Sequence, residues 1–146
     1  MGVEAPFLVF FTITRKCNLK RKHCYSDATD TQAPDELSTV EVKKVLDGLA
    51  KWGIGLLIFD GGEPPCRDDF FEIAKYASEK GIRTAVGGDG VLIDIEMVNR
   101  MKNAGIQMVQ ISIDGAKPET HDSLLKMSKW IFQKHSALKG HALHLS

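Results

Sequence analysis

The sequence predicts an α/β fold in which alternating strands and helices build a parallel sheet. Three observations carry this prediction: short apolar runs rich in β-forming residues, an amphipathic helical pattern after most of them, and glycine or aspartate turns between the two. Strands that alternate with helices at intervals of about 25 residues are typical of βαβ units. A chain of 146 residues is enough for one domain with a core, so we expect a single domain over residues 1–146.

The strands are predicted where apolar β-formers run together, at residues 6–14, 55–64, 82–88 and 106–115. The helix after the first strand has the clearest start, because Ser38 and Glu41 have the spacing of a capping box. The apolar residues that follow it recur at i, i+3, i+4 and i+7: Val42, Val45, Leu46 and Leu49. Gly53 is expected to end this helix, since glycine adopts the positive φ of that position at little cost.

The two later helices follow the same logic. Asp68 is predicted to cap a helix that buries Phe70, Ile73, Ala74 and Ala77 and stops at Gly81. Asp94 is predicted to cap the next helix, which turns Met97, Met101 and Ala104 inward and stops at Gly105. Beyond residue 115 the pattern weakens to a short helix from Pro118, a helix at 128–139 and the start of a fifth strand at 141–146.

Composition narrows the class of protein. Nineteen basic residues balance nineteen acidic ones, so the chain has no excess charge for nucleic acid or an anionic membrane. Its first residues lack a basic segment and a small-residue cleavage pattern, and we interpret them as a strand rather than a signal peptide. Three cysteines without a disulfide spacing favour a reducing compartment, and hence the cytoplasm.

Chemistry-bearing residues follow each strand of the predicted sheet. The first strand leads into a loop with Cys17 and Cys24, and the next three lead into GGEP, GGDG and SIDG. The carboxyl ends of parallel strands share one edge, where loops and helix N-termini bind ligands. Each turn alone is explained by glycine and aspartate as turn formers and helix caps. The four turns together with a cysteine loop indicate a functional site.

These segments resemble the motifs of radical S-adenosylmethionine (radical SAM) enzymes. That family's cluster loop has the pattern C-x3-C-x2-C, which is similar to CNLKRKHCYSDA, and its GGE motif is similar to FDGGEP. GGDG resembles its strand-three turn, and ISIDGAKPETHD resembles a segment of the heme-biosynthesis and peptide-modifying branches. The resemblance implies a partial parallel (βα)6 barrel with four to five βα units, in a core domain that is C-terminally incomplete.

The resemblance also implies cofactors and a reaction. Cysteine thiolates hold a [4Fe–4S] cluster that binds S-adenosyl-L-methionine (SAM) at an open iron. Reductive cleavage of SAM then gives a 5′-deoxyadenosyl radical that acts on an organic substrate, here a tetrapyrrole or a peptide. Carried over by position, the metal ligands are Cys17 and Cys24. The cofactor-binding residues implied in the same way are His23, Tyr25, Gly61, Gly62, Glu63, Asp89, Ser112 and Asp114.

The chain departs from the family pattern at the second ligand position, where it has Arg21. A guanidinium stays charged and offers only donors, so it cannot replace a thiolate on iron. With two ligands we expect the cluster to be absent or labile. Cys66 is a spare thiol near GGEP, and its residue type favours a small buried cysteine over a ligand. Leu125 stands where relatives often carry an arginine.

Two readings of function follow. The first is a radical SAM oxidoreductase with a small-molecule or peptide substrate. The second is an inactive, truncated remnant that binds SAM weakly or serves as a partner-binding module. If the sheet ends after four or five strands, its edge is expected to promote self-association. Zinc on the cysteine loop and phosphate on the basic run at 20–23 are weaker alternatives, because neither has supporting ligand spacing or net charge.

Overall fold

The computed structural model describes residues 4–19, 24, 28–112 and 117, which form a four-stranded parallel sheet in the order β1-β2-β3-β4. In chain order the elements are β1 (Leu8–Thr14), α1 (Thr39–Trp52), β2 (Leu56–Gly61), α2 (Phe70–Glu79), β3 (Thr84–Gly88), α3 (Ile95–Asn103) and β4 (Met108–Ile111). A short 3₁₀ turn over Pro64–Cys66 follows β2. The parallel α/β prediction is confirmed, and the elements expected at 118–146 lie outside the described residues.

The start and the end of α1 form as the sequence predicts. The Ser38 hydroxyl accepts from Glu41 N, and the Glu41 carboxylate accepts from Ser38 N at 2.9 Å. Gly53 follows the last turn with φ 82°, and its N–H donates to the carbonyls of Leu49 and Ala50. One expected core position is wrong: the Val45 side chain is 38% exposed, because it lies at the margin of the stripe that Val42 and Leu46 bury.

The start of α2 differs from the sequence prediction. Asp69, not Asp68, precedes the helix, and its side chain caps no backbone N–H. The Asp69 carboxylate instead accepts from Arg67 Nε at 2.6 Å and from the Thr39 hydroxyl. The predicted cap of α3 is confirmed, since Asp94 accepts from Met97 N at 2.8 Å.

One face of the sheet carries the core. Consecutive parallel strands are neighbours and crossovers are right-handed, so α1, α2 and α3 pack on the same face. At its centre the rings of Phe59 and Phe70 meet edge to face, with centroids 5.6 Å apart. The buried members of this core are Ile13, Val42, Leu46, Leu57, Phe59, Phe70, Ile73, Ala74, Ala77, Ile82, Val86, Ile93, Met101, Ala104 and Ile106. We call this side of the sheet the helix-covered face.

The opposite face is less covered at its β1 edge. Side chains alternate along a strand, so Leu8 and Phe10 point away from the helices, and they are 41% and 59% exposed. Among the residues described, no helix is both long and apolar enough to cross a bilayer.

A candidate cofactor site at the carboxyl ends of the strands

The chain leaves β1 through a stem that holds the first cysteine in place. Cys17 N donates to Thr29 O at 2.8 Å, and Thr29 N donates to Arg15 O at the same distance. Lys16 and Thr29 form a parallel bridge, so the two ends of the cysteine loop lie side by side. The Cys17 side chain is only 7% exposed, whereas Cys24 is partly exposed.

The glycine turn after β2 lies directly against this stem. Gly62 N donates to Thr14 O at 2.7 Å, and Glu63 N donates to Lys16 O at 2.9 Å. A Cβ at Gly61, where φ is 124°, would collide with the Thr14 carbonyl, and one at Gly62 would collide with the Lys16 carbonyl. The two glycines are therefore required by close backbone approach, a reason beyond the turn-forming preference visible in the sequence.

Glu63 joins the turn after β2 to the turn after β3. Its side chain is 1% exposed, and the carboxylate accepts from Asp89 N at 2.8 Å. A Cβ at Gly88 would lie 2.7 Å from both carboxylate oxygens, so glycine leaves the room that the carboxylate fills. The Asp89 carboxylate in turn accepts from Val91 N at 2.8 Å. Glu63 thus fixes the geometry of the neighbouring turn from within the protein.

Two further contacts connect the end of β4 and the cysteine stem to the turn after β3. Ser112 N, after β4, donates to Gly88 O at 3.0 Å. Val91, in the turn after β3, packs with Ala28 against the buried side chains of Cys17 and Leu19. All four strand ends therefore touch, and we call this set of turns, residues 14–19, 61–67, 88–91 and 112, the strand-end rim.

The strand-end rim contains a buried arginine that was not predicted from the sequence. Arg67 is 2% exposed and donates at 2.8 Å to the carbonyls of both Ile13 and Leu37. Its guanidinium faces the Asp69 carboxylate at 2.6 Å and the Glu36 carboxylate at 3.9 Å. No motif around EPPC predicts that the following arginine is buried. The acidic pairs DE at 35–36 and DD at 68–69 were the features of the sequence that could have indicated a buried ion pair. Arg67 holds the end of β1, the loop before α1 and the start of α2 together.

Cys66 faces the cysteine loop. It is partly exposed rather than buried as the sequence favoured, because its turn sits at the surface of the rim. Its sulfur lies 4.0 Å from Asn18 Oδ1, and the Cys17 sulfur lies 3.8 Å from the same oxygen. Burial raises the pKa of the Cys66 thiol, and the nearby charges of Glu63 and Asp89 raise it further.

The structure brings together six of the ten residues proposed for the site: Cys17, Gly61, Gly62, Glu63, Asp89 and Ser112. Cys24 is described as partly exposed, and His23, Tyr25 and Asp114 lie outside the described residues, as does Arg21. Within the described part of the chain, no three His, Cys, Asp or Glu side chains converge as they would on a single metal ion.

The donor set is nevertheless chemically suited to an iron–sulfur cluster. Thiolates are the ligands of such clusters, and each binds its own iron, so the sulfurs need not converge on one point. The chain holds three thiols, and two of them, Cys17 and Cys66, approach one oxygen atom. The residues present therefore include two neighbouring thiols of the type that holds such a cluster, and one of them, Cys66, lies outside the cysteine loop.

A partial parallel α/β barrel with a cysteine loop and a GGE turn at its strand ends defines the class of protein. The family model described as "Radical SAM superfamily" matches residues 11–136. The chain belongs to this superfamily, which confirms the family that the motifs predict.

Characterised relatives share the domain. The chain is 44% identical over 133 residues to "Fe-coproporphyrin III synthase" of Methanosarcina barkeri. The matched region covers 91% of this chain and 32% of that protein. It is 34% identical over 123 residues to "Mycofactocin maturase MftC" of Mycobacterium tuberculosis. Here the matched region covers 84% of this chain and 31% of that protein. The chain thus spans about a third of the length of these curated relatives.

Solved structures share the fold at low sequence identity. The crystal structure of Streptococcus suis SuiB bound to precursor peptide SuiA matches with a TM-score of 0.74 at 16% identity, over 90% of this chain and 30% of that one. The same protein bound to S-adenosylmethionine matches with a TM-score of 0.73. The likeness supports the partial barrel drawn from the sheet order.

Proposed function

We propose that this chain is the cofactor-binding part of a radical SAM oxidoreductase acting on an organic substrate, a tetrapyrrole or a peptide. The observation that carries the proposal is the contact among the four strand ends, in which Glu63 bonds to the turn after β3 while its own turn bonds to the cysteine stem. When bound, the reduced [4Fe–4S] cluster and SAM supply one-electron cleavage of the sulfonium to a 5′-deoxyadenosyl radical.

The protein's own residues bind and orient these groups. Cys17, fixed by its bond to Thr29, and Cys24 contribute thiolates to the cluster. Glu63 Oε2 accepts from Asp89 N, so the carboxylate also positions the turn after β3. The segment Gly61, Gly62 and Glu63 would receive the amino group of SAM.

The remaining proposed contacts come from the loops around this centre. His23 and Tyr25 flank the adenine, and Asp89, Ser112 and Asp114 serve the ribose and the carboxylate of SAM. These roles come from the family resemblance, and the position of Asp89 and Ser112 in the strand-end rim supports them.

The substrate class rests on the relatives. Relatives named "Fe-coproporphyrin III synthase" and "Mycofactocin maturase MftC" both match over more than four fifths of this chain. Such matches favour an enzyme over an inactive remnant, and they give the remnant reading no support. The Arg21 substitution remains the reason to test activity directly.

The proposal is tested by anaerobic reconstitution with iron and sulfide, followed by SAM and a strong reductant. We expect 5′-deoxyadenosine, detected by mass spectrometry, from the unaltered chain and none from Cys17→Ser or Cys24→Ser. A fully reconstituted chain that forms no 5′-deoxyadenosine would contradict the proposal and restore the remnant reading.

A further inference from the structure

We propose that Cys66 is the third thiolate ligand of the cluster, in the role that Arg21 cannot fill. The inference rests on the proposed function, since it concerns the same cofactor. It differs from the family pattern in drawing the ligand from the turn after β2 rather than from the cysteine loop.

The first support is the direction of the Cys66 side chain. Pro64 and Pro65 fix the backbone of the 3₁₀ turn, and Cys66 N donates to Glu63 O at 2.8 Å. This turn carries the sulfur of Cys66 toward the cysteine stem, to 4.0 Å from Asn18 Oδ1. The Cys66 side chain is partly exposed at this surface, so its sulfur is accessible from the side of the cysteine stem.

The second support is the position of Cys17. Its sulfur lies 3.8 Å from that same Asn18 oxygen, so both thiols contact one exposed side chain. Both backbones are held by hydrogen bonds, Cys17 through Thr29 and Cys66 through Glu63. The bonds from Gly62 and Glu63 to the stem keep the two turns in contact.

The chemistry of ligation needs no co-reactant. The Cys66 S–H bond breaks, a sulfur–iron bond forms and the proton goes to solvent, with no change in the oxidation state of sulfur. The same exchange would occur at Cys17 and Cys24. The three thiolates would then hold the cluster and leave one iron without a protein ligand, as the proposed function requires.

The test compares the unaltered chain with Cys66→Ser, Arg21→Cys and the double variant Cys66→Ser/Arg21→Cys. After anaerobic reconstitution we expect the unaltered chain to hold as much iron and sulfide as Arg21→Cys. Cys66→Ser should lose most of both, together with the electron paramagnetic resonance signal of a reduced [4Fe–4S] cluster. The double variant should recover them, because the new loop thiol takes over; a merely structural role of Cys66 would not be rescued in this way.

Every other result overturns the inference. The results also distinguish a failure of the inference from a failure of the proposed function. If Cys66→Ser retains the cluster of the unaltered chain, Cys66 is no ligand, while the proposed function stands. If only the two variants with Arg21→Cys bind a cluster, the cysteine loop can hold a cluster but Cys66 is not a ligand. If none of the four proteins binds one, the proposed function fails as well. Thermal unfolding of metal-free Cys66→Ser and Cys66→Ala checks that the fold is kept.

A second readout follows the thiol itself. Cys66 is partly exposed in the metal-free chain, so iodoacetamide should alkylate it, and mapping of peptides by mass spectrometry measures the rate. Loading with the cluster should protect Cys66 along with Cys17 and Cys24. Equal alkylation of Cys66 in the loaded and metal-free proteins would overturn the inference.

Discussion

The helix-covered face and the strand-end rim are held together by different forces. On the helix-covered face, apolar side chains such as Phe59, Phe70 and Leu46 are fully buried and interlock. At the rim, the contacts are hydrogen bonds between backbones and buried charged groups, above all Glu63 and Arg67. Apolar packing tolerates exchange of similar shapes, whereas a buried charge needs its own partners.

This difference shows how the fold separates stability from chemistry. The core depends on how much apolar surface is buried, so many sequences satisfy it. The rim depends on particular atoms, because a lost donor leaves a buried acceptor without compensation. Substitutions in the rim should therefore cost more than their size suggests, and the following predictions test that expectation.

Arg67→Met should have the largest effect on stability. It removes both hydrogen bonds to main-chain carbonyls and the cation that faces Glu36 and Asp69. Breaking a buried charged network by removing one partner costs about 3–5 kcal/mol, measured as the free energy of unfolding in urea. Arg83→Met is the matched control, since Arg83 is exposed, and it should change the free energy by no more than about 0.5 kcal/mol. Equal stability of the two variants would mean that the rim, like the core, is held by apolar contacts.

Gly62→Ala should be the next most harmful change. The added methyl group meets the carbonyls of Lys16 and Arg15, which the surrounding hydrogen bonds hold in place. We expect a loss of about 1–3 kcal/mol in the free energy of unfolding, together with weaker cluster uptake. In α1, a Cβ at Gly48 meets no atom within 4 Å, so Gly48→Ala should stabilise the protein by about 0.5–1 kcal/mol. A destabilising Gly48→Ala would contradict the open space at Gly48, and a neutral Gly62→Ala would contradict the close approach at Gly62.

Asp69 should give the rim an acid-sensitive contribution. Burial acts to raise the pKa of its carboxyl, but the hydrogen bonds from Arg67 and Thr39 outweigh this and lower the pKa. A pKa lower in the folded than in the unfolded state means that the contribution is present above the unfolded value of about 3.9 and is lost as pH falls through the folded value. The stability difference between the unaltered chain and Asp69→Asn should therefore shrink on acidification, in urea unfolding from neutral pH downward. A difference that stays constant from neutral to acid pH would contradict this contribution.

The smallest effect concerns the Cys66 thiol in the metal-free chain. Burial and the charges of Glu63 and Asp89 raise its pKa, so less thiolate is present at a given pH. Alkylation of Cys66 by iodoacetamide should rise with pH at a higher midpoint than in the same chain unfolded in urea, where a thiol titrates near about 8.5. A midpoint in the folded chain at or below the unfolded one would show that the rim does not surround this thiol as described.

The predictable part of the fold is the part that local patterns determine. Ser38 with Glu41, Asp94 and the glycines after each helix marked the helix ends, and the i, i+3, i+4 spacing identified Phe70 and its neighbours as core. Val45 was misassigned because periodicity does not show how wide the buried stripe is. Asp68 was chosen over Asp69 because two adjacent aspartates do not fix a helix start to within one residue. That Asp69 caps no backbone N–H follows from Arg67, which binds its carboxylate.

At the site, the motifs identified the right turns but not the contacts between them. That Glu63 binds the backbone of Asp89, and that Cys66 approaches Asn18, depends on the spacing of neighbouring strands, which no local pattern encodes. Arg67 was missed for the same reason, since all its partners except Asp69 are supplied by other segments.

The order β1-β2-β3-β4 also bears on how the chain folds. The partners Leu8 and Leu56 are separated by a stretch about twice as long as that between Leu57 and Thr84, and a doubling of loop length costs only about 0.6 kcal/mol in closure entropy. The long connection between β1 and β2, which contains the cysteine loop, therefore adds little to the entropy cost of pairing the two strands. A connection of this kind lets the ligand-bearing segment change in length at little cost to the stability of the sheet behind it.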